Sequence, residues 1–219
     1  LVEMRKALAI QLQVLGDDHP SVAVSYGNIG MVLRDQGKYD QALVEMRQAL
    51  AIQLQVLGDD HPEVAVSYGN IGLVLKNQGN YDQALVEMRK ALAIKLQVLG
   101  DDHPSVAVSL SNIGSVLQDQ GNYDQALVEM RKALAIELEA LGDDHPSVAV
   151  SYNNIGLVLQ DQDNYGQALV EMRKALAIQL QVLGDDHPSV AVSYGSIGSV
   201  LQNQGKYDQA LVEMRKALA

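Results

Sequence analysis

The residues best suited to chemistry lie in a pentapeptide, GDDHP, that occurs five times, with its imidazole at His19, His61, His103, His145 and His187. Two carboxylates beside an imidazole could ligate a metal ion or move protons. Spacing argues against both uses. Equivalent positions in a stack of helices lie roughly 8–10 Å apart, whereas a zinc-bound nitrogen sits about 2 Å from its metal. Histidines of different copies therefore cannot share one ion. Within a copy, Asp17, Asp18 and His19 would have to converge as three adjacent residues, with no cysteine or second histidine to complete the set. Ser193 and its equivalents share a repeat with a histidine, but no nucleophile turn, oxyanion hole or orienting group accompanies them. The expectation is no catalytic residue, no metal and no cofactor.

The five histidines instead keep a beat of 42 residues, and the rest of the chain keeps it with them. Self-similarity at such a period marks an array of stacked supersecondary units rather than one globule. The 219 residues are five periods plus nine residues, and LVEMRKALA both opens the chain (Leu1 to Ala9) and closes it (Leu211 to Ala219). One array over residues 1–219 is expected, with a partial second helix at 1–15 and repeats at 16–57, 58–99, 100–141, 142–183 and 184–219.

Charge narrows the partners. The net −11 comes from 27 acidic against 16 basic residues with no Lys/Arg-rich block, which disfavours nucleic acid and anionic membrane surfaces. Cysteine is absent, so disulfides and thiolate chemistry are excluded. No signal-like segment and no run approaching 18 apolar residues appears, so no membrane partner is expected and cytoplasmic is the default location. The first residue is Leu1, which suggests a fragment of a longer chain.

Within the repeat from His61 to Asp102, Ala84, Leu85, Met88, Ala91, Leu92, Leu96 and Leu99 have the spacing of one buried helical face. Val86, Ala93, Ile94 and Val98 form a further apolar line expected to widen that face. An earlier helix is predicted from about Pro62 to Gln78, with Val66, Ile71, Val74 and Leu75 inward and with Ala65, Gly69 and Gly72 allowing close helix approach. Gly79 suits a left-handed C′ position and Gly100 is expected to end the second helix similarly. In DDHP an aspartate can cap the next helix and the proline fits its first turn; Asp60 and Glu63 have capping-box spacing. The unit is an αα-hairpin.

Residues Tyr68 to Leu92, YGNIGLVLKNQGNYDQALVEMRKAL, resemble a tetratricopeptide repeat: Tyr68, Ile71, Gly72 and Leu75 match its helix A pattern, and Ala84, Met88 and Ala91 its helix B pattern. The 42-residue period, LGDDHP and YDQAL resemble the long repeats of kinesin light chain and related proteins. The resemblance implies an all-α fold, a right-handed α-solenoid (superhelix) of stacked antiparallel helix pairs. It also implies a non-enzymatic scaffold that binds a protein or peptide in a concave groove lined by helix A. Such repeats serve many unrelated complexes, so partner identity does not follow.

Most positions are the same in every copy, but one helix A line varies: Gly27, Gly69, Ser111, Asn153, Gly195; Met31, Leu73, Ser115, Leu157, Ser199; Arg34, Lys76, Gln118, Gln160, Gln202. The offsets i, i+4 and i+7 place these on one face. By the resemblance, that face with Asn28, Asn70, Asn112 and Asn154 lines the groove. Drift at solvent positions is the competing explanation, supported by variation at Gln53, Lys95, Glu137 and Gln179, which read as peripheral. If the groove is used, Met31 and Leu73 beside Arg34 and Lys76 suit an acidic, partly apolar peptide towards the N-terminal half. The carboxylate clamp of chaperone-binding relatives is not matched, because Val24 and Gly27 stand where it uses basic residues.

The tyrosines at 26, 68, 152 and 194 and at 39, 81, 123, 165 and 207 read as helix packing with hydroxyls reaching water, Leu110 being the exception. In the fourth repeat Asp163 stands where the others have glycine and Gly166 where they have aspartate, so that turn is expected to be the least stable. Both ends carry LVEMRKALA without a polar capping repeat. The alternative function is therefore a structural or self-assembling repeat associating head-to-tail through uncapped ends.

Overall fold

The computed structural model describes residues 1–218, and among these it contains eleven α-helices and no strand. They are α1 (Val2–Leu15), α2 (Pro20–Asp35), α3 (Tyr39–Leu57), α4 (Pro62–Asn77), α5 (Tyr81–Leu99), α6 (Pro104–Asp119), α7 (Tyr123–Leu141), α8 (Pro146–Asp161), α9 (Tyr165–Leu183), α10 (Pro188–Asn203) and α11 (Tyr207–Lys216). They form two compact units, Leu1–Asp101 and the residues from Asp102 onward. In the first, the pairs α2·α3 and α4·α5 pack side by side, with α1 against α2 and α3 against α4. In the second, the pairs are α6·α7, α8·α9 and α10·α11, joined by α7 against α8 and α9 against α10. Each unit is thus a stack of antiparallel helix pairs.

Each pair is held by a glycine on its first helix. A Cβ built on Gly72 would lie 2.6 Å from Met88 Cγ and 3.3 Å from the carbonyl oxygen of Ala84, and Gly30, Gly114, Gly156 and Gly198 are crowded in the same way. Only a residue without Cβ lets the two backbones come this close. Gly69 has no such role, because the space where its Cβ would project is open. Around each contact the core repeats: Val64, Ala65, Ile71, Val74 and Leu75 from α4, and Ala84, Leu85, Met88, Ala91 and Ile94 from α5, are buried.

The buried stripe is narrower than the apolar pattern implies. Val66 lies outward at 55% exposed, while Val64, two residues earlier, is fully buried. On α5, Val86, Ala93, Leu96, Val98 and Leu99 are also exposed. Each helix meets neighbours over an arc, and apolar residues beyond that arc stay in contact with water.

The punctuation separates into two kinds of stop. After α2, α4, α6 and α10 a glycine with φ between 71° and 82° closes the helix, and in the fourth repeat Asp163 adopts the same region at φ 58°. Asn80 N–H donates to the Leu75 carbonyl at 2.9 Å and Gly79 N–H to the Lys76 carbonyl at 2.8 Å, which is the Schellman arrangement. The helices before GDDHP end differently from expectation: Gly100 has φ 85° and ψ 167°, positive φ with extended ψ, a region open essentially only to glycine.

The capping assignment also changes. His61, not Asp60, is the N-cap of α4, and its Nδ1 accepts from the Glu63 N–H at 3.2 Å; the other four histidines cap α2, α6, α8 and α10 identically. Proline at N1 is the reason. It keeps the residue before it extended, which places that residue at the N-cap, and the imidazole acceptor fills the role usually taken by Asp or Ser. Asp60 and Glu63 therefore form no capping box. Asp60 instead accepts from Gln97 Nε2 at 2.9 Å, and Asp18 from Gln55 Nε2 at 3.0 Å, each tying a loop to the following second helix.

Three of the four helix A tyrosines carry lysines on their rings; opposite Tyr26 the equivalent residue is Gln48. Lys90 Nζ lies 5.0 Å from the centre of Tyr68, Lys174 lies 5.0 Å from Tyr152, and Lys216 lies 5.1 Å from Tyr194. Each lysine also pairs with a glutamate one turn earlier on its own helix. Leu110 offers no such ring and is buried.

Candidate protein-binding surface

The exposed valine of each first helix marks a surface. Val24, Val66, Val108, Val150 and Val192 are each more than half exposed. Val24 precedes Asn28 by four residues and Met31 by seven, so it shares a face with the variable line.

In the first unit this face opens into a depression of about 250 Å³ bounded by α2 and α4, with α3 contributing Met46, Ala49 and Gln53. Val24, Gly27, Asn28 and Met31 line it from α2, and Glu63, Val66, Ser67 and Asn70 from α4. A second depression of about 210 Å³ adjoins it, sharing Ala23, Val24, Gln53 and Glu63. Of the residues proposed from sequence, Asn28, Met31 and Asn70 thus line the cavity, whereas Arg34, Leu73 and Lys76 do not. Gly27 contributes by having no side chain: nothing lies within 4 Å of where its Cβ would project.

The basic end of the face is partly neutralised. Arg34 donates from Nε and Nη2 to Asp35 Oδ1 at 2.9 and 2.8 Å, a charge pair at the edge of the helix. In the second unit, Gln118 at the equivalent position donates to Asp161 Oδ2 at 2.6 Å, linking α6 to α8. Asn112, Ser115, Asn153, Asn154, Leu157, Gln160 and Ser199 are partly exposed, and Gln202 is exposed.

The series Gln53, Lys95, Glu137 and Gln179 proves not to be peripheral. Ser67 Oγ donates to Gln53 Oε1, Ser151 Oγ to Glu137 Oε2, and Ser193 Oγ to Gln179 Oε1 at 2.6 Å, each joining a second helix to the following first helix. Glu137 is only 7% exposed. Burial pushes its carboxyl above the usual range, opposed by the Ser151 hydrogen bond and the charge of His145. Burial likewise lowers the Lys95 ammonium. The signal that could have found this series is its regular place fourteen residues before a serine, the residue that Gln53, Glu137 and Gln179 each meet.

Among the described residues no group of three or more His, Asp or Glu side chains gathers as metal ligands, and no helix is long and apolar enough to cross a membrane.

Paired helices repeated at a fixed period, with one face of each first helix left open, define a helical-repeat protein of the solenoid class. The tetratricopeptide repeat model matches residues 3–55, 25–96, 65–136, 105–181 and 147–219, and the chain belongs to that family. A search of curated proteins gave no match. Among solved structures, the chain resembles the kinesin light chain nearly identical TPR-like repeats of Podosopora anserina at 23% identity and TM-score 0.79, covering 91% of this chain and 94% of that one. It also resembles BtubC (BKLC) from P. vanneervenii at 19% identity and TM-score 0.80, over 98% of this chain and 85% of that one. The apo form of RapI aligns at 21% identity and TM-score 0.77, over 98% of this chain and 57% of that one. At these identities the likeness establishes the fold. Tetratricopeptide proteins are in general protein-interaction scaffolds.

Proposed function

We propose that this chain is a non-enzymatic scaffold that holds an extended peptide or partner segment along the open face of its first helices. The observation that carries the proposal is the depression between α2 and α4, where the exposed Val24 and Val66 meet the variable Gly27 and Met31. Solvent-exposed valines at the same position of every repeat leave apolar surface uncovered, and a concave apolar surface with a few polar groups is the form a ligand site takes. Asn28 and Asn70 supply side-chain amides for a peptide backbone. The repeats at 16–57, 58–99, 100–141, 142–183 and 184–219 act in this reading as one array over 1–219, and the family match across 65–136 supports treating them together. The pairing of Arg34 with Asp35 and the Glu63 carboxylate in the wall of the depression shift the expected ligand from acidic and partly apolar towards apolar.

The test is selection of peptides from a displayed random library on the intact chain, repeated on Val24→Asp/Val66→Asp. Both valines are exposed, so the variant keeps its core. Loss of binding by the selected peptides is expected; equal binding to the variant would overturn the proposal. A second reading is head-to-tail association between copies, the kind of heterologous contact that stacked repeats permit. Light scattering separates the two: a monomeric mass across a wide concentration range removes self-association.

A further inference from the structure

We infer that the second-helix position filled by Gln53 in the first unit and by Glu137 in the second decides which side chain of a bound peptide each unit accepts, and that Glu137 takes a cationic one, lysine or arginine. This rests on the peptide-groove reading above.

Gln53 lies in the wall of the first unit's depression, and its side-chain oxygen accepts from Ser67. Two repeats later Glu137 keeps the same frame: Ser151 donates to it, and Val108 and Val150 are as exposed as Val24 and Val66. Four of the lining positions differ in the second unit: Ser111 replaces Gly27, Ser115 replaces Met31, Ser147 replaces Glu63, and the Glu137 carboxylate replaces the Gln53 carboxamide.

The carboxylate changes what the position needs. An ionised carboxyl offers about four lone-pair sites, and the hydroxyl of Ser151 serves one of them. His145 acts on Glu137 through space, its Nδ1 being taken up as the acceptor for the Ser147 N–H. A buried carboxylate without a close cation is costly, and the upward push on this carboxyl is the sign of that cost. A guanidinium or ammonium arriving from the open face supplies the missing charge and makes charge-assisted hydrogen bonds. A peptide carboxylate at the same place is repelled, so one residue both attracts one class of ligand and rejects another.

The experiment uses the intact chain and three capped peptides, Ala-Leu-Xaa-Leu-Ala with Arg, Gln or Glu as the central residue, followed by two-dimensional NMR. The arginine peptide is expected to bind about tenfold more tightly than the glutamine peptide, a size typical of one well-formed charge pair. Its shifts should centre on α6, α7 and α8, and Glu137→Gln should abolish the preference. That variant keeps the serine bond, as Gln53 and Gln179 do, so its fold is preserved. The carboxyl titration of Glu137, followed by carbon-detected NMR, should move to lower pH when the arginine peptide is bound. Binding of all three peptides without charge preference, a preference that survives Glu137→Gln, or an unmoved titration overturns this inference alone. Failure of every peptide to bind overturns the groove reading with it.

Discussion

Gln162 Nε2 donates to Asp124 Oδ1 at 2.7 Å, fastening the end of one first helix to the start of the preceding second helix, and Gln78 does the same with Asp40 at 2.7 Å. One repeat later Gly166 stands where that aspartate would be, so the Gln204 amide N–H has no carboxylate to donate to there. The exchange of aspartate for glycine in the fourth repeat therefore removes a link between repeats as well as altering a turn.

Gly166→Asp should restore that link. Position 166 lies in the first turn of α9, which has no acidic residue there, and nothing lies within 4 Å of where the new Cβ would project. A new hydrogen bond and an anion at a helix N-terminus together contribute about 1 kcal/mol. In a chain of this size that raises the melting temperature by about 2–4 °C. Differential scanning calorimetry measures it, and an unchanged or lower value would mean Gln204 is not rescued.

Asp163→Gly tests the turn itself. Asp163 is held at φ 58°, which costs a residue with Cβ roughly 0.5–1 kcal/mol relative to glycine. Its carboxylate accepts from the Tyr165 hydroxyl, and that bond, followed by burial and the carboxylate's charge, raises the Tyr165 phenol above its ordinary range. The raised phenol favours the folded state below the ordinary tyrosine range, and the contribution disappears as pH rises through the folded-state value. Stability of Asp163→Gly should exceed that of the parent, and alkaline absorbance titration should show one tyrosine ionising at lower pH than before.

The glycines of the first helix predict opposite outcomes three residues apart. Gly72→Ala must displace Met88 and should destabilise by about 1–3 kcal/mol. Gly69→Ala meets nothing and gains helix propensity, so it should stabilise by up to about 1 kcal/mol. Thermal melts of the two variants check both signs.

The histidine caps make a fourth test. His145→Ala leaves the Ser147 N–H without the acceptor it has at 3.2 Å and should cost about 1 kcal/mol, whereas His145→Asn keeps an acceptor and should cost less than half of that. Equal losses in the two variants would show that the ring is held for its packing rather than its nitrogen.

Much of the fold is legible in the sequence because period, glycine and proline act locally. Pro62 sets a helix start whatever surrounds it, and Gly79 a helix end; the pairing of Gly72 with Met88 follows from the close approach of two short-linked helices. What is not legible depends on which neighbours arrive. Val64 and Val66 are the same residue type two positions apart, and only the placement of α3 and α5 decides that the first is core and the second is surface. The candidate site divides the same way. Met31 and Asn70 are visible as a varying line and its asparagine neighbour, whereas Arg34 is taken out by Asp35 and Gln118 by Asp161 through contacts that spacing does not reveal. Gln53 was hidden because its series sits on the other helix and shows its place only through the serine it meets.

The central claim is that the open face of the first helices, and not the outer face of the second, receives a partner. Titration of the isotopically labelled chain with the capped peptide Ala-Leu-Gln-Leu-Ala tests it most directly. Shifts concentrated at Val24, Asn28, Met31, Val66 and Asn70 are predicted. Shifts concentrated at Val44 and Val86 on the outer faces of α3 and α5, or no shifts at all, would contradict it.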